Sequence, residues 1–487
     1  MPSTSSSMHE RRWLILAMLG VAQLMVVLDA TIVNIALPSA QHALGFSDTS
    51  RQWVVTAYAL AFGSLLLLGG RIGDLFGRKR ALIVGLLGFA TASALAGLAQ
   101  SFNVLVAARA LQGGFGALLA PAALSILTTT FTDPAERGKA FGIFGAIAGG
   151  GGTIGLVLGG VLTQYATWRW TLYVNLLFAI PAALAAAALL VNERPAVRPR
   201  LDVPGPLTAT AGLFALVYGF ANAETHGWGA PLTIGSLVAA VVLLAAFVAL
   251  QARGKNPLLP LRVVLDRDRG GSYFSMAIAG AGMFGVFLFL TYYLQRTLGF
   301  SPVQSGLAFL PLTGALILTA TLVSAIALPR VGPRPLVPSG MTLAAVAMLL
   351  LTRVGVHSSY AGHVLPAIIL VGIGMGLIFA PAMATATGGV RPQDAGVASA
   401  MVNTSQQVGG SVGTALLSTF SATAAGSYVT AHGGASPDVL TAAAVHGYTT
   451  AFWWAAGIFL VGAVLSSVLL RSGAQEMITG AEPVLAH

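Results

Sequence analysis

The chain is a succession of apolar runs, each long enough to cross about 30 Å of hydrocarbon, separated by short segments in which the basic residues collect. Six runs fall at 13–37, 52–70, 81–99, 104–130, 139–163 and 171–191, two more at 206–223 and 232–250, and six at 272–294, 305–327, 337–352, 363–387, 396–420 and 450–470. Only 8% of residues are charged and 56% are hydrophobic, whereas a soluble domain carries about 25% charged residues. A water-soluble chain of 487 residues cannot wet its surface with so few charges. The expected fold class is an all-α polytopic membrane protein with fourteen transmembrane helices. The opening HERRWLILAMLG is similar to a signal peptide, but its apolar run is too long, so it reads as an uncleaved first helix.

The basic residues set the topology. With the N-terminus inside, twenty of the 25 Lys and Arg fall on cytoplasmic segments, and four (Arg51, Arg169, Arg296 and Arg353) fall on outer loops. Arg109 lies within a span. Such a bias is the positive-inside pattern of a plasma-membrane protein with both termini cytoplasmic. The net charge of +10 therefore reflects topology and gives no reason to expect nucleic acid as a partner.

Two stretches recur. GFGALLAPA (Gly114–Ala122) matches GMGLIFAPA (Gly374–Ala382), and the glycines of RGKAFGIFGAIAGGGGTIG (Arg137–Gly155) recur in AGVASAMVNTSQQVGGSVG (Ala395–Gly413). The fourth and fifth spans are thus echoed by the twelfth and thirteenth, an even shift that preserves orientation and marks parallel repeats. The expected organisation is a cytoplasmic N-terminus (1–12), a six-helix bundle (13–191), a linker (192–205), two inserted helices (206–250), a second linker (251–271), a second six-helix bundle (272–470) and a cytoplasmic tail (471–487).

Of fifteen acidic residues, only Asp29 is well inside a span, with Glu224 at a boundary. An ionised carboxylate at a helix centre costs about 2.5–3.5 kcal/mol to insert, and desolvation favours the neutral carboxyl unless a cation or hydrogen bonds oppose it. At 1.5 Å per residue Asp29 lies about 12 Å from the outer end of its helix and Arg109 about 8 Å from the outer end of the fourth. The two share a depth and have opposite signs. Arg109, Gln112, Gly113 and Gly116 share one helix face. Two readings stay open for Asp29: a reversible proton site, or a static ion pair locking two helices.

Other candidates are less specific. The loop GGRIGDLFGRKRAL (Gly69–Leu82) offers Gly70, Gly73 and Gly77 for a tight turn, Asp74 to pair across it, and Arg78, Lys79 and Arg80 to face the anionic leaflet. In the fifth span Gly145, Gly152 and Gly159 line one stripe, with Gly155 and Gly160 close by, where another helix can approach and slide. Asn403, Gln406 and Gln407 share a face of the thirteenth span. Met283, Phe284, Phe287 and Tyr292 of the ninth are candidates for an adaptable apolar wall, and Asn34 and Tyr58 for further cavity positions. The eight histidines show no metal-ligand spacing, there is no cysteine, and no nucleotide-binding P-loop occurs. No cofactor or metal is expected, and the chain is not expected to be an enzyme.

These motifs together resemble the fourteen-span drug:proton antiporter branch of the major facilitator superfamily. LDATIVNIALP (Leu28–Pro38) is similar to its first-helix motif, GGRIGDLFGRKRAL to the superfamily loop, LVAARALQGGFGA (Leu105–Ala117) to the fourth-helix motif, and WRWTLYVN (Trp168–Asn175) to a further signature. The resemblance implies a major facilitator fold. It implies export of lipophilic neutral or monocationic small molecules, multidrug or antibiotic, by alternating access. Protons would be the coupling ion, Asp29 and Arg109 would carry the coupling, and the active unit would be a monomer in the bilayer. It also implies that Asp74 belongs to a cytoplasmic gate with Gly70, Gly77 and Arg78. GLVLGG (Gly155–Gly160) departs from the branch by placing Leu156 where its motif has proline, and so keeps a helix hydrogen bond that proline would remove. A proton-driven uptake symporter of the same fold, and a non-transporting receptor or scaffold, are the alternatives.

Overall fold

The computed structural model describes residues 4–47, 50–131, 133–191, 204–254, 257, 259–390, 394–432, 434 and 436–471. Every apolar run becomes helix: α1 (Thr4–Leu44), α2 (Gln52–Phe76), α3 (Arg78–Gly97), α4 (Phe102–Thr130), α5 (Pro134–Tyr165), α6 (Trp170–Leu189), α7 (Pro204–His226) and α8 (Pro231–Arg253). After the short α9 (Leu261–Val264) come α10 (Arg267–Tyr292), which runs on through a wider turn at Tyr293–Thr297, and the interrupted rod of α11 (Pro302–Ala308), α12 (Leu310–Leu322) and α13 (Leu328–Val331). The chain ends with α14 (Pro333–Leu351), α15 (Leu365–Thr387), α16 (Ala395–Ala431) and α17 (Pro437–Leu469). Among the described residues ten helices are long and apolar enough to cross a membrane. The described apolar stretches of α2 and α5, Gln52–Leu66 and Ile154–Tyr165, are shorter. The protein is a multi-pass membrane protein.

Helix ends follow local chemistry. Ser301 and Gln304 form a reciprocal capping box at the start of α11, and Ser436 caps α17 ahead of Pro437, in keeping with hydroxyl N-caps and proline in the first turn. Gly77 separates α2 from α3 with φ of 96°, and Gly332 separates α13 from α14 with φ of 72°. Both need the backbone freedom that only glycine has, and they occupy matching places in the two halves.

The pairing of helices repeats. In the first half α1 packs on α5 and α6, α2 on α4, and α3 on α4 and α6. In the second half α10 packs on α16 and α17, α12 on α15, and α14 on α15 and α17. The register repeats too. A Cβ at Gly151 would meet Leu24 and at Gly155 would meet Leu28, while Gly409 and Gly413 stand in the same way against Ala277 and Ala281. The halves meet along two seams, α2 against α16 and α5 against α11 and α12. The inserted α7 lies over the first seam, touching α2 and α16, and α8 packs on α7. Thr210 of α7 donates to the Ser64 carbonyl of α2 at 3.0 Å. Only 17% of the apolar window of α8 is buried, as suits a helix facing lipid.

The described side-chain hydrogen bonds that join the halves lie at one end of the molecule, where α1 finishes and α2 begins. Tyr292 donates to Gln41 at 2.7 Å, Gln295 to the Ile35 carbonyl at 3.0 Å, and the Val303 amide to Gln164 at 3.3 Å. This is the distal end, opposite the one where α1 begins and α17 finishes.

Candidate functional site

The first half encloses a polar core. α4 approaches α2 closely because Gly113 has no side chain where the Tyr58 carbonyl and Phe62 backbone pass. That approach brings Arg109 under α2, where its Nε donates to the Val54 carbonyl at 3.2 Å and its Cζ stacks 4.4 Å from the Tyr58 ring. Its Nη1 donates to Asp29 Oδ2 at 2.6 Å and to Gln112 Oε1 at 2.7 Å. Gln112 and Asn175 each donate to Asp29 Oδ1, at 2.6 and 2.8 Å. Both amides also donate to Ser93 Oγ, at 3.1 and 2.9 Å, and the Ser93 hydroxyl donates in turn to the Leu172 carbonyl at 2.8 Å. Asp29 is 0% exposed and Arg109 1%.

Both oxygens of the Asp29 carboxyl group thus have donors, the Arg109 guanidinium on one and two side-chain amides on the other. The same bonds explain how a charge sits in this helix bundle, because a buried ion pair holds when further hydrogen bonds satisfy its remaining lone pairs. Tyr58 is buried beside it, and its hydroxyl finds no partner among the described residues. On the distal side of Arg109 is a small cavity with apolar walls from Leu37, Ala40, Val54, Leu105, Trp168 and Leu172.

The sequence anticipated Asp29, Arg109 and Gln112, and the structure brings them together. It did not nominate Ser93 and Asn175. Asn175 carried a usable signal, a neutral amide inside an apolar run, but one serine among many in small-residue helices carries none.

The other candidates scatter. Asn34 is buried and its amide donates back to the Ala30 carbonyl at 3.1 Å. Asn403 likewise donates to the Ser399 carbonyl at 3.3 Å, so neither amide reaches across to another helix through that bond. Gln407 sits on the α2–α16 seam against Gly63, while the backbone of Gln406 passes Gly280 of α10. Met283 and Phe284 are partly buried, and the Phe284 ring lies over Gly410. Phe287 packs with Phe309 at a centroid distance of 5.2 Å. Tyr292 is fully buried in the distal contact between halves, where its hydroxyl donates to Gln41 of the other half.

The glycine motif is also different from expectation. The stretch expected as a loop is helical through Phe76, so Gly70 and Gly73 are helix residues and Gly77 alone makes the turn, its amide donating to the Gly73 carbonyl at 3.0 Å. Lys79 does not point to a leaflet. Its ammonium donates to the Ala187 and Leu190 carbonyls at 2.7 and 2.5 Å, and Arg11 reaches Leu189 at 2.8 Å. Cations at the C-terminal end of α6 meet the negative pole of the helix and its unpaired carbonyls. Arg78 begins α3; the side chain of Asp74 lies outside the described residues. In α5, Gly145 is outside them as well, and Gly152, Gly155 and Gly159 face Thr31, Leu28 and Ile32 of α1 within the same half. Among the described glycines of α5, Gly160 alone faces the other half, against Pro302 and Val303.

A profile of the Major Facilitator Superfamily matches residues 19–414. The chain belongs to that superfamily. It is 52% identical to the puromycin resistance protein pur8 of Streptomyces alboniger over 464 residues, 95% of this chain and 92% of the relative. It is 40% identical to the cephamycin export protein CmcT of Amycolatopsis lactamdurans, over 82% of each chain. A crystal structure of an auto-inhibited peptide transporter of the POT family superposes with a TM-score of 0.69 at 14% identity, covering 96% of this chain and 98% of that one, which shows the fold. As a superfamily member with resistance and export proteins among its relatives, the chain is a membrane transporter and not an enzyme.

Proposed function

We propose that this transporter exports lipophilic neutral or monocationic small molecules, of antibiotic type, in exchange for protons. The resistance and export functions named for its relatives support the direction. The observation that carries the coupling is the buried Asp29, held by Arg109, Gln112 and Asn175. Protonation removes the charge that Arg109 binds, so a protonated Asp29 frees α1 from α4 and α6, and loss of the proton draws them together again. Asp29 is sealed when the distal contacts are closed, so its proton enters from the outer side only when the halves part there. The fourteen helical runs and the distribution of basic residues support fourteen spans with both termini in the cytoplasm. On that topology the distal end is the outer one and the membrane is the cytoplasmic membrane. A monomer suffices, because the whole polar core comes from one chain.

Energetics allow this. A potential of 100 mV contributes about 2.3 kcal/mol per proton and one pH unit about 1.36 kcal/mol. Together, at about 3.7 kcal/mol, they hold a gradient of about 500-fold for a neutral solute at one proton each. The test is proton release on adding a solute to the purified protein, with flux in vesicles under an imposed pH gradient. Asp29→Asn is expected to abolish both the release and the acceleration of efflux by the gradient. Gradient-driven efflux undiminished in that variant refutes the assignment, and solute accumulation with the proton flow makes the protein an uptake symporter instead.

A further inference from the structure

Arg51 stands at the start of α2 in the distal contact and is 6% exposed. Its Cζ lies 3.9 Å from the centroid of the Tyr292 ring and 5.7 Å from that of Tyr448. Both rings belong to the second half, on α10 and α17, and both are buried. Arg296, exposed on the second half, approaches the same Tyr292 ring at 5.2 Å. A guanidinium of one half thus fills an aromatic pair of the other.

The faces of tyrosine rings attract cations, most strongly when both are withdrawn from water, and they favour weakly hydrated organic cations. When the distal ends part, Arg51 leaves with the first half while Tyr292 and Tyr448 stay with the second. The pair is then uncovered at the distal end. We propose that Tyr292 and Tyr448 form a cation subsite on the exit route, accepting the ammonium or quaternary nitrogen of a monocationic amphiphile, with Arg51 as its tethered competitor. Closing the distal end returns Arg51 to the rings and displaces the solute outward. This inference rests on the export reading for monocations and adds where the cation is held and what expels it.

The experiment measures equilibrium binding of radiolabelled tetramethylammonium to the purified, full-length protein. Arg51→Ala is expected to bind it at least about tenfold more tightly than the parent, the scale of about one partly desolvated cation–π contact. Adding Tyr448→Leu to Arg51→Ala is expected to remove that gain. The chain has no cysteine, so spin labels at Gln100→Cys and Ser359→Cys, exposed on the two halves at the distal end, verify the fold and report the separation. The distance distribution is expected to broaden to longer values in Arg51→Ala. Should Arg51→Ala fail to fold, Arg51→Gln serves in its place. Binding that is no tighter in the arginine variants, or that survives Tyr448→Leu, overturns the subsite. A gain in binding with no solute flux in vesicles supports the subsite and sinks the export reading, so the two fail separately.

Discussion

The two halves of this transporter solve the same packing problem with opposite chemistry. Leu28 and Ala281 hold equivalent places against Gly155 and Gly413, so Asp29 of the first half corresponds to Gly282 of the second. The repeat of GFGALLAPA places Ile369 where the first half has Arg109, and Gly372 where it has Gln112. At Gly282 the ring of Phe459 fills the space that a Cβ would occupy, and Phe459 is fully buried. One core is closed by an ion pair and amides, the other by hydrocarbon. The frame of helices therefore does not require the charge. Buried ion pairs are often no more stable than apolar residues of the same volume, so the polar core is an expense in folding terms that the proposed proton exchange accounts for.

That comparison is most exposed to Arg109→Met. Removing the cation leaves Asp29 buried with two amides alone, and a loss of about 3–5 kcal/mol is expected from breaking a buried pair on one side. Thermal unfolding in detergent measures it, and adding Asp29→Asn to the same chain is expected to recover most of the loss. If Arg109→Met alone costs nothing, the first core does not hold a charge. Next in size is Phe459→Ala, which opens an apolar void against Gly282 and is expected to cost about 3 kcal/mol. Gly282→Ala in that background is expected to regain part of it, because the new methyl enters the vacated space; a further loss instead means that Phe459 is not what fills it. The smallest effect is expected for Asn175→Ala, which deletes one donor to Asp29 while Arg109 and Gln112 remain. About 1.5–3 kcal/mol is the scale for one hydrogen bond to a charged group, and the two remaining donors keep the loss at the low end. The same variant is expected to move the pH dependence of efflux, whereas Phe459→Ala, although more destabilised, leaves that dependence in place.

Much of this was legible before folding. The apolar runs marked the long helices, since hydrocarbon leaves a backbone no other way to satisfy its amides, while the short α9 lies in a stretch expected as a linker. The common depth of Asp29 and Arg109 anticipated their contact, because opposite charges in a medium without water have few alternatives. Gly77 stood out among the glycines expected to make a tight turn. Three things were not legible. The polar residues of α16 carry the right composition for a solute path, yet Asn403 bonds within its own helix and Gln407 lies at a seam; composition does not say which way a face turns. Lys79 reads as a leaflet anchor until α6 ends beside it. Arg51 shows in the sequence only as one of the few basic residues on the outer side.

By itself the sequence determined what each segment is: which stretches are helix, that the halves repeat, and that Asp29 lies well inside a span. These follow from hydropathy and charge, which act on each segment almost independently of its neighbours. Tertiary structure alone decided the company each side chain keeps. Ser93 and Asn175 complete the shell of Asp29, Gly160 meets the opposite half while the other described glycines of its stripe do not, and the guanidinium of Arg51 lies against Tyr292 and Tyr448. Such choices depend on helix rotation and on close approach between elements far apart in the chain, where a turn of one residue moves a side chain by about 100°.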